Sequence, residues 1–398
     1  MSGATEARAV ARALADAPNR RIAQAVALVD ALPARGAADA LIAPLRGRLA
    51  ELRIGRRINF GRLLFLPLDP VIVDAKAWRP GAAAVPRSAL APLIVVTRAA
   101  LGADGDSIAA ALREAGQSAP MTLPMTLGPL LWTPAAAALR TLAAAKLRGW
   151  DTTGLPAEAA GPIARAVAAV LDAWPALCAL AARDKDSRDL ADVLRAAAAE
   201  GPEPWALVVA VAIARGADPV PVATLAADLA GQGGPAMHQA LEGALAAATD
   251  ALEQQTHAPA ELAAGAVRRA GRLVAALVDR TGPAQRAALL GFAGRIDADC
   301  RARVAAECAT AVMTPLAALA PVTIAADLPG LERAARGLRD LEQEARRIGG
   351  ANAYDTLFRD AAARVRDLPQ SHPLTRMDRM RLVEILDGPE AALRLLDG

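Results

Sequence analysis

The sequence predicts an all-α protein, and three observations carry that expectation. Apolar residues make up 54% of the 398-residue chain but aromatic residues only 3%, so alanine and leucine supply most of the core. Alanine is the strongest helix former, and the β-branched residues that favour strands are sparse outside a few short runs. In the second half, apolar residues recur at helical spacing in segment after segment, with glycine or proline between them. The expected architecture is a multi-helix array of antiparallel helical hairpins, with two extended proline-containing straps in the N-terminal part.

Helices are expected over 5–16, 20–32 and 37–53, with Pro18, Pro33 and Gly36 as breaks. An arginine cluster follows, in which Arg46, Arg48, Arg53, Arg56, Arg57 and Arg62 stand against Glu51 alone. The first strap, over 60–73, sets Phe60, Leu63, Leu64, Phe65, Leu66 and Leu68 side by side with no alanine between them. Pro67 and Pro70 each lack an N–H and clash with the preceding turn, which argues against a continuous helix. Proline also biases its predecessor towards extended geometry, so Leu66 and Asp69 are expected extended. Trp78-Arg79-Pro80-Gly81 reads as a turn.

Residues 86–101 read as a short helix or a buried strand, and Asp106 or Ser107 caps a helix ending at Ala115. The tandem tetrapeptides Pro120-Met121-Thr122-Leu123 and Pro124-Met125-Thr126-Leu127 read as the second extended strap, packed on helices. A helix over 134–148 leads to a joint, Gly149 to Pro156, which separates an N-terminal helical domain with apolar straps (1–150) from a C-terminal helical-hairpin domain (151–398).

Beyond the joint, helices are expected over 157–183, kinked or split at Pro175, then over 187–199, 204–215, 219–230, 236–255 and 259–280. Pro283 opens a helix towards Met313 that Pro315 ends; Leu289, Phe292, Ile296, Cys300, Val304 and Cys308 form its inner stripe. Asp297/Arg301 and Asp299/Arg303 are read as ion pairs on its outer face. Leu331, Leu338, Leu341 and Ala345 belong to a heptad pattern. After Gly349-Gly350 a helix capped by Asn352 offers Tyr354, Leu357, Ala361 and Val365 as the facing stripe, and the pair reads as an antiparallel hairpin. Short helices over 376–386 and 389–396 finish the chain.

Composition narrows the function. A net charge of +3 is too small to imply nucleic acid by itself. Lysine occurs only at 76, 146 and 185, so the arginine content reflects the GC-rich coding expected of a bacterium more than phosphate recognition. Cys178, Cys300 and Cys308 are odd in number and widely spaced, which fits a reducing cytoplasm rather than a disulfide framework. The N-terminus lacks an apolar segment of signal-peptide type. The long uncharged window 115–139 is broken by four prolines, Pro120, Pro124, Pro129 and Pro134, and so reads as no membrane helix.

No motif assigns a chemistry. His238, His257 and His372 are far apart and fit surface or capping roles. The run from Asp184 to Asp189 resembles the start of a calcium loop but has Arg195 where a bidentate glutamate is required, and reads as a helix cap. The cysteines lie on apolar faces and read as core. Phosphate-binding glycine loops are missing, and the helix-turn-helix rhythm over 222–245 offers no basic residue where phosphates would be met. No catalytic residue, cofactor site or metal site is therefore expected.

The function expected is that of a non-enzymatic cytoplasmic protein-interaction or scaffold protein, with another protein as partner. The candidate interaction residues are Arg53, Arg56, Arg57, Phe60, Arg62, Phe65 and Trp78. The first alternative is a nucleic-acid or anion-binding regulator that uses the arginines between 46 and 62, with peripheral contact to an anionic membrane surface as one form of it. The second is an all-α enzyme without a recognisable motif, its pocket near the strap with Trp78 and Trp132 in the wall. All three readings treat residues 60–73 as packing material inside the protein.

Overall fold

The computed structural model describes residues 58–115, 123–141, 147, 149–183, 187–216, 218–258, 260–321, 324–349 and 353–395. The three helices expected before residue 58 lie outside these residues, as do Arg53, Arg56, Arg57 and most of the arginine cluster. Within the described residues the protein is an all-α, multi-helix fold with a single two-residue β-bridge.

The strap is helical rather than extended over 60–71, and only its last two residues are in a strand. Asn59 caps α1 (Phe60–Phe65) by accepting from the Arg62 N–H at 2.9 Å, and a 3-10 helix follows over Leu66–Val71. Proline is compatible with this geometry because its fixed φ suits a helical turn. Pro67 stands at the first turn, where its missing N–H is no loss, and Pro70 sits inside a piece only six residues long. Strand β1 (Ile72–Val73) then pairs in parallel with β2 (Val85–Pro86), Ile72 opposite Val85.

Helix α2 (Leu90–Ala115) joins the two segments read separately from the sequence, with a kink at Gly102, whose φ of 51° and ψ of −124° suit a residue without a Cβ. The second tetrapeptide of the supposed second strap lies in α3 (Leu123–Arg140), which runs through Pro129 and Pro134. The leucines recurring every four residues there are a helical signal, and the prolines masked it.

The remaining helices are α4 (Ala160–Arg183), unbroken at Pro175, α5 (Ser187–Glu200), α6 (Pro202–Arg215), α7 (Val220–Gly233), α8 (Pro235–Thr256), α9 (Ala260–Leu277) and α10 (Pro283–Glu307). After α10 the chain widens into a π-helix over Cys308–Met313 and closes with α11 (Thr314–Ala317). Pro315 explains the widening: it cannot donate back, and both the N–H and the hydroxyl of Thr314 bond to the carbonyl of Ala309, five residues earlier. Helices α12 (Ile324–Arg346), α13 (Ala353–Arg366), α14 (Arg376–Asp387) and α15 (Pro389–Leu393) complete the fold.

Helix α6 is the centre. Every residue from Pro204 to Ala214 is buried, because α4, α5, α7, α8 and the 3-10 strap all pack on it. A helix apolar all round belongs in an interior, and Leu207, Ile213 and each of its valines contribute about 1.5–3 kcal/mol of burial. The strap seals the same body: Leu63, Leu64 and Leu68 are 0% exposed, and the 3-10 segment touches α4, α6 and α8.

In the C-terminal part the heptad face of α12 is buried through Leu331, Leu338, Leu341 and Ala345. Its most extensive packing is against α9, however, and α13 packs chiefly on α14. Long side chains bridge α12 to α13 instead: Arg339 lies 4.7 Å over the ring of Phe358, and Arg346 pairs with Asp355. Periodicity identifies which face is buried but not the helix that buries it.

Candidate functional site

Three arrangements of side chains carry chemical potential. The first is the junction between the strap and α6. Arg215, in the last turn of α6, donates to the carbonyl of Leu66 and lies 5.0 Å over the ring of Trp174 on α4. Asp69, on the strap, sits among Arg215, Arg62 and Arg87. Its side chain keeps contact with solvent, yet enough protein surrounds it that desolvation, opposed by the three arginines, raises its carboxyl above the usual range. Desolvation likewise pushes the guanidinium of Arg215 down and the thiol of Cys178 up.

The candidate interaction residues fall differently. Phe60 and Phe65 are 7% and 3% exposed, which removes both from any surface. Arg62 and Trp78 are half-buried, and the Trp78 indole donates to Ala84 O at 3.1 Å. Trp132, expected in a pocket wall, is buried and donates to Leu63 O at 2.9 Å. Sequence reading missed Asp69, Trp174 and Arg215. The signal for Arg215 was there: it is the one charge closing an otherwise apolar run that begins at Trp205.

The second arrangement is an open groove of about 630 Å³ between α5 and α7. Leu190, Ala191, Pro221 and Leu225 supply its apolar wall, and Arg195 and Asp228 stand at its edge. Arg195 is held by Asp192 at 2.8 Å, whereas Asp228 makes no ion pair with a described residue. The elements explain the shape: α5 and α7 both lean on α6 and touch one another only lightly, so their outer faces diverge.

The third is a set of polar groups inside the C-terminal core. Asp297 on α10 was read as an outer-face residue, but it is 8% exposed and directed inward, paired with Arg301 at 2.8 Å. Arg303 pairs with Glu307 rather than Asp299 and donates to the carbonyls of Thr256 and Ala258, closing the end of α8. Cys300 and Tyr354 lie close to Asp297; burial pushes the Cys300 thiol to about 11 and raises the Tyr354 phenol well above its ordinary value. Glu342 on α12, 1% exposed, is flanked by Arg339 at 3.0 Å and by Arg346.

The histidines take main-chain roles. Nδ1 of His372 accepts from the Leu374 N–H at 3.3 Å, which leaves Nε2 to donate to Leu316 O at 3.0 Å. His238 meets Gly234 O at 3.0 Å, and His257 caps the end of α8. Among the described residues no group of three or more His, Cys, Asp and Glu is placed to hold a metal ion, and no helix is long and apolar enough to cross a membrane. Comparison of the chain with family models, curated proteins and solved structures gave no match.

Proposed function

We propose that the protein is a non-enzymatic interaction module or scaffold that docks another protein in the groove between α5 and α7. The observation that carries this reading is the groove itself: an apolar wall of Leu190, Ala191, Pro221 and Leu225, with the carboxylate of Asp228, which makes no ion pair among the described residues, beside it. An amphipathic helix laying its apolar stripe between two helices is a recurrent recognition mode, and a basic residue on its flank would meet Asp228. Rigid support from α6 beneath both helices favours a preformed site. Three free cysteines support a reducing compartment such as the cytoplasm.

The test places a photo-crosslinking amino acid at Thr224, in the groove, and at exposed Gln239 as a control, in cells that make the protein. A protein adduct formed from 224 but not 239, and lost on Leu225→Arg at an unchanged unfolding midpoint, supports the reading. Absence of an adduct, or one indifferent to Leu225→Arg, rejects the groove. Turnover by the purified protein that one point substitution abolishes rejects the non-enzymatic reading altogether.

A second reading, an anion-binding regulator, is favoured by the surplus of arginine around Asp69, where Arg62, Arg87 and Arg215 surround one carboxylate. Phosphate contacts release counterions, so affinity for a polyanion such as heparin should fall steeply with salt. Salt-independent binding excludes this reading.

A further inference from the structure

Two polar atoms on neighbouring helices are sealed from solvent without a hydrogen-bond partner among the described residues: Oδ1 of Asp297 on α10 and the hydroxyl of Tyr354 in the first turn of α13. Asp297 is 8% exposed and Tyr354 2%, and the two helices pack together. Buried polar atoms are rarely left unpaired, and each exception calls for an explanation.

The surroundings restrict what can join them. Oδ2 of Asp297 is already held by Arg301 at 2.8 Å, so the carboxylate charge is balanced. Cys300, three residues along α10, is buried on the same side. The chain passes over Asp297 at Gly349, where even an added Cβ would stand at an ordinary 3.6 Å from Oδ2. On its other flank Tyr354 carries Arg346, 5.9 Å from its ring. A guest here must accept from a phenol, donate to a carboxylate, carry no net charge and be small enough to be enclosed by core residues.

We propose that Asp297 and Tyr354 hold one structural water between α10 and α13. The water accepts the Tyr354 hydroxyl proton and donates one hydrogen to Asp297 Oδ1, with its second hydrogen towards the Cys300 sulfur, a weak acceptor. It thereby ties the start of α13 to the middle of α10, where α12 and α13 themselves meet mainly through long side chains.

A crystal structure at near-atomic resolution tests this directly. The expected result is a density peak about 2.7–3.2 Å from both Tyr354 Oη and Asp297 Oδ1. No peak, a direct bond between the two oxygens, or a peak whose occupancy follows the potassium or ammonium concentration overturns the proposal. The near-isosteric variants Tyr354→Phe and Asp297→Asn supply a second readout. A shared water makes their losses in urea midpoint less than additive in the double variant, and strict additivity overturns it.

Discussion

The indole N–H of Trp132 donates to the main-chain carbonyl of Leu63 across 2.9 Å, joining α3 to α1 inside the core. Gly128, one turn before Trp132, makes room for this: a Cβ there would collide with the six-membered edge of the indole. Trp132→Phe removes the indole donor and leaves the Leu63 carbonyl, in a residue 0% exposed, with the helical Leu66 N–H as its remaining partner among the described residues. The expected loss is about 0.5–1.5 kcal/mol in urea unfolding with an unchanged m-value. A loss below a few tenths would mean that the bond does not hold the strap.

Gly102→Ala isolates backbone strain, because nothing lies within 4 Å of the position a Cβ would take. With φ at 51° and ψ at −124°, an L side chain is disfavoured regardless of space. The variant should lose about 1–3 kcal/mol, read from the thermal midpoint. Unchanged stability would show that α2 straightens at little cost.

Asp69 gives a pH signature. Its carboxyl is raised from 3.8, by desolvation first, so the folded protein binds that proton more tightly than the unfolded chain. Stability from this group therefore falls as pH rises from 3.8 through the raised folded value, and is constant above it. Asp69→Asn should equal or exceed the parent at neutral pH, by no more than about 1 kcal/mol because solvent screens the site. The gap should close as the pH drops below the ordinary carboxylate range. Lower stability of the variant at neutral pH would show that attraction to Arg215 outweighs desolvation.

The thiols should differ in reactivity. With its pKa near 11, Cys300 is ionised in roughly one molecule in ten thousand at neutral pH, and it is 2% exposed. Cys308 is 4% exposed, whereas Cys178 is half-buried. N-ethylmaleimide followed by mass spectrometry should mark Cys178 first, with Cys300 and Cys308 modified only in urea. Rapid labelling of Cys300 in the native protein would contradict the packing of α10.

Glu342, flanked by Arg339 and Arg346, tests the bridge between α12 and α13. Glu342→Ala leaves half-buried Arg339 without its carboxylate, while Arg346 keeps Asp355, and should cost about 3–5 kcal/mol, against about 1–3 for Glu342→Gln. Equal costs would indicate that packing, not charge, sets the position of α13.

The fold class and most helix positions were legible because alanine, leucine and helical spacing agree along the chain. The burial of Leu63, Leu64 and Leu68 was legible too, since so dense an apolar run belongs inside. Partners were not. The heptad face of α12 is the same whether α9 or α13 covers it, and the face alone cannot choose. Proline was over-read: Pro67, Pro70, Pro129 and Pro134 all lie in helical segments, where 3-10 geometry or surrounding packing absorbs the missing donor. The site residues Asp69 and Arg215 are 146 positions apart by subtraction of their numbers, and no local pattern connects them.

The position of α6 in the chain also constrains how the protein is made. Among the described residues its main neighbours come from both sides of it, the strap, α4 and α5 before it, α7 and α8 after it. During synthesis its valines and Ile213 emerge well before Thr256, the last residue of the covering helix α8. A nascent chain halted in that interval has the apolar surface of α6 uncovered on the side that α8 later fills, and the ribosome-bound intermediate, rather than the finished protein, is where a chaperone would be needed.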